Sequence, residues 1–393
     1  MKGDKGRLVT LIPTIKKCCS EYMHQLCKKV REMKYPTFLQ DHETIGFIAP
    51  SFGCASLEPY ISRFRSALEY FKGLGYSTIV GPNVYADSGI GKSNTPEKCG
   101  EEINDFFTND KSNVIISVGG GETMCEDLPF VDFEKISASK PHWFLGYSDN
   151  TNLTFTLPTL CDIAAVYGPC ASSFGMKPQH PYLTDTLDFL TGKKMKFKNY
   201  DYWESESKSC EETPLATLNA TEPFALSAYF NGKYYGATVS SPVNQSNSID
   251  PFNVEFSGRL LGGCLDILTI LSGTKFDKVK EFNKKYEADG IIWFLESCDL
   301  NPLSITRSIW QLKNAGWFEK TRGFLIGRPL HYNENIMGLD CTEAVIRILK
   351  DYNVPIILDI DLGHLPPQMP LVSGAIGNVK VIGNSLSICY ELK

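Results

Sequence analysis

The sequence has little net charge of either sign, and it has no long apolar run. Its 39 basic and 45 acidic residues leave a net charge of −6 when the histidines are neutral. A protein that binds a nucleic acid polymer by neutralising phosphates carries a basic field, so this function class loses support. No stretch reaches the ~18 uninterrupted apolar residues of a membrane-spanning helix. We therefore expect a soluble globular protein with no membrane span.

Cysteine is plentiful, but the spacing that metal sites and disulfide frameworks need is missing. The 13 cysteines are odd in number and scattered along the chain, and no Cys-x-x-Cys or Cys/His pair has zinc-ligand spacing. Reduced thiols in a cytoplasmic protein explain this pattern most simply. The sequence thus predicts a cytoplasmic protein without a metal site.

Basic residues are concentrated at the start of the chain. Residues 1–34 carry nine Lys/Arg against three acids, which gives this segment a charge of +6 and the remainder −12. Residues 14–34 have the pattern of a basic, partly amphipathic helix. A solvated extension is the simpler interpretation, and a targeting or membrane-surface segment is the alternative. We assign residues 1–43 to a basic N-terminal extension.

From residue 44 onward, apolar strand patterns alternate with helical patterns. The predicted strands are apolar runs that end in small or turn residues, at 44–51, 77–82, 113–120 and 141–147. Strands that alternate with helices indicate a parallel sheet with helices on both faces. We therefore predict a Rossmann-like α/β domain over residues 44–190.

The alternation stops between residues 191 and 235, where the sequence is acidic, polar and rich in turn residues. This composition predicts a linker with a long exposed loop. Strand and helix patterns then resume, with apolar runs at 290–297, 323–329 and 354–361. They predict a C-terminal β/α domain over residues 236–393.

The segment WFLGYSDNT at 143–151 has the pattern of a strand that turns sharply into a helix. Ser148 lies at the corner, and a serine there projects its hydroxyl at the strand end where open α/β sheets bind ligands. The first turn of the helix supplies unpaired N–H groups for a developing oxyanion. The segment lacks the second glycine of Gly-x-Ser-x-Gly. Taken alone, a serine in a helix-capping turn is the simpler interpretation.

Three consecutive glycines, Gly119–Gly121, follow another apolar strand. Glycines let the backbone approach a ligand closely and point N–H groups at it, as in a phosphate cradle or an oxyanion hole. A tight turn without function explains the run almost as well. The string also has a loose likeness to the glycine-rich loops of small-molecule kinases. A nucleotide-binding, kinase-like or non-catalytic binding module therefore stays open as the alternative function.

A serine nucleophile needs a base and a group that orients the base. Of six histidines, His364 follows the predicted strand 354–361, in a loop where a strand end can deliver it to a cleft. Glu296 ends another apolar strand, and a carboxylate that leaves a buried strand usually has a partner. A solvated loop histidine and an ordinary ion pair are the simpler interpretations of the two residues when each is taken alone.

The sequence resembles the serine peptidase family of LD-carboxypeptidases and microcin C immunity (MccF-like) proteins. The segments that carry the likeness are GFIAPS at 46–51, the glycine run before EDLPFVDF, GYSDNT at 146–151, YGPCASSFGM at 167–176, GRLLGGCLDIL at 258–268, FLES at 294–297 and ILDIDLGHLPP at 357–367. Their joint occurrence in this order is specific, and the likeness covers about residues 44–391.

The resemblance implies a Ser-His-Glu triad in which Ser148 is the nucleophile, His364 the base and Glu296 the residue that orients it. It further implies an oxyanion hole from the N–H groups of Gly121 and Asp149. The implied fold is a Rossmann-like N-terminal domain and a C-terminal β/α domain with the site between them, often in a homodimer. No cofactor or metal is expected, because the protein supplies every reacting group.

Two segments, YGPCASSFGM and DIDLGH, are more similar to the MccF-like branch. That branch implies cleavage of an amide in a small peptide or a peptidyl or aminoacyl nucleotide, with Gly120 and Trp203 contacting the substrate. Trp203 would stack on the base, or it packs against the protein surface; the sequence favours neither. A substrate carboxylate would need a cation, and the candidates are Arg259, Arg307 and Arg328.

Overall fold

The computed structural model describes residues 32–54, 57–89, 91–236 and 251–393. The helix predicted at 14–34 lies outside these residues except for 32–34, which are not helical. Residues Lys34–Lys393 form one compact unit. Among the described residues, none belongs to a helix that is both long and apolar enough to cross a membrane.

The strands are numbered in chain order. They are β1 (Thr44–Ile48), β2 (Ser77–Val80), β3 (Val114–Ser117), β4 (Trp143–Gly146), β5 (Ala165–Tyr167), β6 (Lys196–Lys198), β7 (Tyr202–Trp203), β8 (Glu222–Pro223), β9 (Ser227–Phe230), β10 (Lys233–Tyr235), β11 (Asn253–Cys264), β12 (Ile291–Glu296), β13 (Thr321–Gly327), β14 (Asn335–Ile336), β15 (Leu339–Asp340), β16 (Ile356–Ile360), β17 (Leu371–Ser373), β18 (Ile376–Ile382) and β19 (Ser385–Glu391).

The α-helices lie between these strands. They are α1 (Tyr60–Gly73), α2 (Pro96–Thr108), α3 (Phe133–Ala138), α4 (Thr151–Thr156), α5 (Pro181–Leu190), α6 (Leu265–Leu271), α7 (Val279–Lys285), α8 (Pro302–Asn314) and α9 (Cys341–Leu349). Apolar residues at helical spacing form the buried face of α1, where Phe64, Ala67 and Phe71 lie against the core. Pro96 starts α2, because a proline at the first helical position leaves no intrahelical hydrogen bond unmade.

Two large sheets organise the chain. The first has the order β17-β5-β4-β3-β1-β2, and all of its neighbours are parallel except β17 and β5. The second has the order β10-β9-β16-β13-β12-β11-β18-β19-β6, with a parallel centre from β16 to β11 and antiparallel edges. Parallel strands joined by helices confirm the α/β class that the sequence predicts.

The segment 191–235 is more than the linker that its composition predicts, because parts of it pair with strands of the second sheet. Its strand β6 pairs with β19, and its strand β9 pairs with β16 in the second sheet. In β6 only Phe197 is buried, between the exposed Lys196 and Lys198. Such a period-two pattern over three residues is hard to recognise in a polar sequence, whereas the sheet edge that it joins makes it stable.

Candidate active site

Ser148 occupies a sharp corner at the carboxyl end of β4. The strand ends at Gly146, a 3-10 turn spans Ser148–Asn150, and α4 follows directly. The φ angle of Ser148 is +63°, in the left-handed region that side chains other than glycine rarely adopt. Such strain costs about 1–3 kcal/mol and is concentrated at functional sites. The strand, turn and helix lie where the sequence predicts them.

A continuous chain of hydrogen bonds joins three residues that lie far apart in sequence. The Nε2 atom of His364 lies 2.9 Å from Ser148 Oγ, and its Nδ1 atom lies 2.8 Å from Glu296 Oε2. Glu296 is the last residue of β12, and His364 lies in the loop after β16. This is the arrangement that a nucleophile, a base and an orienting carboxylate require.

Glycine at position 363 lets the histidine loop pass directly over the carboxylate. Gly363 has a φ of +98°, and a Cβ atom there would lie 2.6 Å from Glu296 Oε2. Any side chain at this position would therefore displace either Glu296 or His364. The absence of a side chain at Gly363 therefore allows His364 and Glu296 to lie within hydrogen-bond distance.

Burial and mutual attraction set the charges of the pair. Burial alone would lower the pKa of His364, but the Glu296 carboxylate and the hydrogen bonds of the ring raise this pKa well above its usual value. Burial would raise the pKa of Glu296, but the facing imidazolium and the hydrogen bonds from His364, Tyr167 and Cys264 together outweigh it and lower that pKa. The Glu296 side chain is fully buried, and that of His364 is 13% exposed. The pair therefore favours a carboxylate beside an imidazolium.

Tyr167 is a site residue that sequence reasoning missed. Its hydroxyl accepts a hydrogen bond from the Ser148 N–H at 3.0 Å and donates one to Glu296 Oε1 at 2.5 Å. The only signal in the sequence was its place at the start of YGPCASSFGM, a segment that carries the resemblance. Nothing in that segment shows that the tyrosine faces a glutamate 129 residues away.

The glycine run lies beside the nucleophile. A Cβ atom on Gly120 would lie 3.3 Å from Ser148 Cβ, and Gly120 O accepts a hydrogen bond from the Phe52 N–H at 2.7 Å. Gly121 has a φ of +150°, and a Cβ atom there would overlap Ser51 Oγ. A side chain at Gly121 would therefore clash with Ser51, and one at Gly120 would crowd Ser148, so glycine lets the loop pack closely beside the nucleophile.

The side chain of Asp149 ties the serine turn to this loop. Its carboxylate accepts hydrogen bonds from Ser51 Oγ, from the Met124 N–H at 2.9 Å and from Asn152 Nδ2 at 3.0 Å. Burial raises the pKa of Asp149, and these hydrogen bonds oppose the shift. The sequence pointed only to the backbone N–H of this residue. The structure adds a buried carboxylate that holds the glycine loop and the nucleophile turn together.

Trp203 lies in β7 and packs against the C-terminal part of the chain. The Arg328 guanidinium lies 5.1 Å from the centre of its ring, and Tyr332 meets the ring edge-on at 5.3 Å. The next residue, Glu204, donates its N–H to Pro366 O at 2.8 Å, in the loop that carries the catalytic histidine candidate. Trp203 is thus partly buried against protein side chains and lies next to the segment that joins the histidine loop.

The three arginines considered for a substrate carboxylate differ in their surroundings. Arg259 pairs with Asp289 at 2.6 Å, and the buried Arg328 pairs with Asp361 at 2.6 Å. Arg307 is exposed on α8. A substrate carboxylate that uses Arg328 would compete with Asp361. Within the described ranges, no three His, Cys, Asp or Glu side chains are grouped to hold a metal ion.

Comparison with family models agrees with the geometry. The model of the LD-carboxypeptidase N-terminal domain matches residues 45–168, and that of the LD-carboxypeptidase C-terminal domain matches residues 257–379. The chain belongs to the LD-carboxypeptidase family. The two matched regions hold Ser148 in the first and Glu296 and His364 in the second, so the resemblance expected from the sequence is confirmed.

Relatives in the LD-carboxypeptidase family match most of the chain at low identity. A Vibrio cholerae protein provisionally named a carboxypeptidase is 24% identical over 351 residues, which cover 88% of this chain and 95% of that protein. The microcin C7 self-immunity protein MccF of Escherichia coli is 24% identical over 358 residues, which cover 89% and 94%.

Solved structures of MccF and an MccF-like protein share the fold of this chain. An MccF-like protein from Bacillus anthracis has a TM-score of 0.72 at 20% identity, with 91% of this chain and all of that chain covered. MccF has also been solved with aspartyl sulfamoyl adenosine, at a TM-score of 0.71 and 20% identity over 91% of this chain and 98% of that chain. The two-domain α/β fold expected for the LD-carboxypeptidase family is thereby confirmed.

Proposed function

We propose that the protein is a serine hydrolase that cleaves an amide bond through an acyl-enzyme. The observation that carries the proposal is the hydrogen-bonded chain from Ser148 through His364 to Glu296. We also propose the domain division: residues 44–190 supply the serine, and residues 236–393 supply the glutamate and the histidine.

In the proposed reaction, Ser148 Oγ attacks the amide carbonyl while His364 Nε2 accepts the hydroxyl proton. The N–H groups of Gly121 and Asp149 stabilise the oxyanion of the tetrahedral intermediate. His364 then gives the proton to the leaving amine, and the C–N bond breaks to leave an ester on Ser148. Water, activated by the same histidine, hydrolyses the ester. Throughout, the Glu296 carboxylate holds Nδ1 protonated so that Nε2 faces the nucleophile.

The proposed substrates are a small peptide and a peptidyl or aminoacyl nucleotide. Support for the second class comes from relatives, because MccF has been solved with aspartyl sulfamoyl adenosine and with glutamyl sulfamoyl guanosine. Support for carboxypeptidase action comes from the family. Arg259 and Arg328 already have acidic partners, so a substrate carboxylate bound to either would compete with Asp289 or Asp361. We propose Gly120 and Trp203 as substrate contacts and a homodimer as the assembly, which sedimentation velocity tests.

The alternative, a phosphate-binding loop at Gly119–Gly121, predicts ATP binding that does not depend on His364. The position of Gly120 next to Ser148 favours the hydrolase, since a loop that lines the nucleophile suits an oxyanion hole. A filter-binding measurement with ATP separates the two proposals.

The test compares wild type with Ser148→Ala on two substrates, an L,D-linked murein tetrapeptide and an aminoacyl sulfamoyl nucleoside, with products followed by mass spectrometry. Loss of D-Ala indicates carboxypeptidase action, whereas release of the amino acid indicates cleavage of an aminoacyl nucleotide. The matched control is Ser385→Ala, at the exposed start of β19. Full turnover by Ser148→Ala would refute the proposal, as would equal losses in both variants.

A further inference from the structure

Tyr167 is placed by its strand to reach across the nucleophile corner. It ends β5 and lies opposite Gly146 of the neighbouring β4, two residues before Ser148. Its side chain is 1% exposed and packs against the rings of Tyr147 at 6.3 Å and Phe294 at 5.6 Å. Burial and these ring contacts restrict the positions that the hydroxyl can take.

The direction of each hydrogen bond at this hydroxyl follows from the groups around it. The Ser148 N–H only donates, so the Tyr167 oxygen accepts at 3.0 Å. The single phenolic hydrogen then goes to Glu296 Oε1 at 2.5 Å. Glu296 Oε2 faces His364 Nδ1 at 2.8 Å. Both oxygens of the buried carboxylate are thereby engaged, one by the histidine and one by the tyrosine.

We propose that Tyr167 is a positioning residue that holds the main chain of the nucleophile and the carboxylate of the triad in one fixed relation. The inference rests on the proposed function, because it assigns Tyr167 a role in the same reaction. Tyr167 acts through its two hydrogen bonds and does not contact the substrate. Without the hydroxyl, Ser148 would lose a partner at a strained φ angle, and Glu296 would lose a hydrogen-bond donor to Oε1.

The bond to Ser148 also bears on the oxyanion hole. Because the Ser148 N–H already donates to the Tyr167 hydroxyl, it is not free to donate to an oxyanion. The oxyanion donors must then come from neighbouring residues, which agrees with the proposed N–H groups of Gly121 and Asp149. Tyr167 thus fixes which backbone groups face the reacting carbonyl.

The bond to Glu296 has a measurable electrostatic consequence. A donor to the carboxylate stabilises its charge, so removal of the donor increases the proton affinity of the Glu296–His364 pair. The pH at which the histidine becomes a competent base then moves upward. The other titratable groups that face this pair are Tyr147, Cys264, Cys298 and Glu122.

The experiment compares Tyr167→Phe with Tyr390→Phe, a buried tyrosine whose hydroxyl donates to Pro370 O at 2.7 Å. Both variants lose one buried hydroxyl and keep the ring. The rate at which a fluorophosphonate labels Ser148 is measured from pH 5 to pH 10, and the Nδ1 proton of His364 is followed as a low-field NMR resonance. A parallel kcat and KM measurement uses whichever amide the wild type cleaves.

For Tyr167→Phe we expect labelling about 10- to 100-fold slower, with its midpoint about one pH unit higher and the low-field resonance shifted. The kcat should fall with KM little changed, and Tyr390→Phe should keep the wild-type midpoint and resonance. A Tyr167→Phe protein with the wild-type rate and midpoint would overturn the inference. So would an equal loss in Tyr390→Phe, because the effect would then be a general loss of stability.

Failure of the proposed function gives a different result. If Ser148→Ala is labelled as fast as wild type, the hydrolase proposal fails, whatever Tyr167→Phe does, and the NMR resonance alone then decides the inference.

If Tyr167→Phe does not fold, 3-fluorotyrosine at position 167 replaces it. This analogue is a stronger donor of nearly the same size, so it should move the midpoint to lower pH. An unchanged midpoint would overturn the inference.

Discussion

Replacing Glu296 with glutamine tests the proposed triad most directly. Glu296→Gln keeps the shape of the side chain but exchanges one carboxylate oxygen for an NH2 group. In wild type, one oxygen accepts from His364 Nδ1 and the other from the Tyr167 hydroxyl. A glutamine satisfies only one of these two donors, so the buried network has to rearrange.

Either orientation of the glutamine harms the proposed base. If its NH2 faces Nδ1, that atom must become an acceptor, so the proton moves to Nε2, which then points at Ser148 Oγ and has no lone pair to accept the serine proton. If its oxygen faces Nδ1, the NH2 crowds the Tyr167 hydroxyl, which already accepts the Ser148 N–H. The loss of the carboxylate charge also removes the stabilisation of the imidazolium. The wrong tautomer alone lowers kcat about 10⁴-fold in a related triad, or about 5 kcal/mol.

The assay is kcat/KM against pH for wild type, Glu296→Gln and Glu97→Gln, an exposed glutamate in the first turn of α2. We expect Glu296→Gln to lose about 10³- to 10⁴-fold at its best pH and its residual acid limb to move to lower pH. Glu97→Gln should match wild type. A loss of less than tenfold in Glu296→Gln, or an acid limb that does not move, would refute the orienting role of Glu296.

Two further predictions concern the same site. The Glu296 carboxylate and the hydrogen bonds of the ring together outweigh burial and raise the pKa of His364, so kcat/KM should increase with pH to a midpoint well above 6.5; a profile already flat at pH 6 would contradict this. Gly363→Ala should lower kcat at least about 100-fold, because its Cβ would lie 2.6 Å from Glu296 Oε2. The control is Gly383→Ala, which has a φ of +56° and open space around its Cβ, so it carries the backbone strain without the contact. Equal losses of kcat in the two alanine variants would assign the effect to strain.

The sequence predicts the part of the site that depends on local patterns. The corner at Ser148 follows from an apolar strand and helix-capping residues that are adjacent in the chain, and the structure has the strand, turn and helix there. The pairing of Ser148 with Glu296 and His364 does not follow from spacing. Along the chain, His364 lies 68 residues after Glu296 and 216 residues after Ser148, and only the resemblance to a family brought the three together.

Two features that the sequence does not predict depend on tertiary contacts. The sequence points to the backbone N–H of Asp149, but in the folded chain its carboxylate accepts from Ser51 and Met124, which lie in two other segments. Phe197 is one apolar residue between lysines, and only the neighbouring strand β19 makes it part of a sheet. Each role depends on a partner that no local window contains, so neither propensity nor periodicity indicates it.

Contacts between the two sheets at the site fix the position of Ser148 relative to the Glu296 carboxylate. The Thr151 hydroxyl, at the start of the helix after Ser148, accepts the Cys264 N–H at 3.0 Å. Gly263 has a φ of +148°, and a Cβ atom there would lie 2.5 Å from Thr151. In the parallel register of β11 and β12, Cys264 lies opposite Glu296. Since neighbouring strands hold this register along six residue pairs, the end of β11 that supports the serine helix also fixes the end of β12 that carries the glutamate.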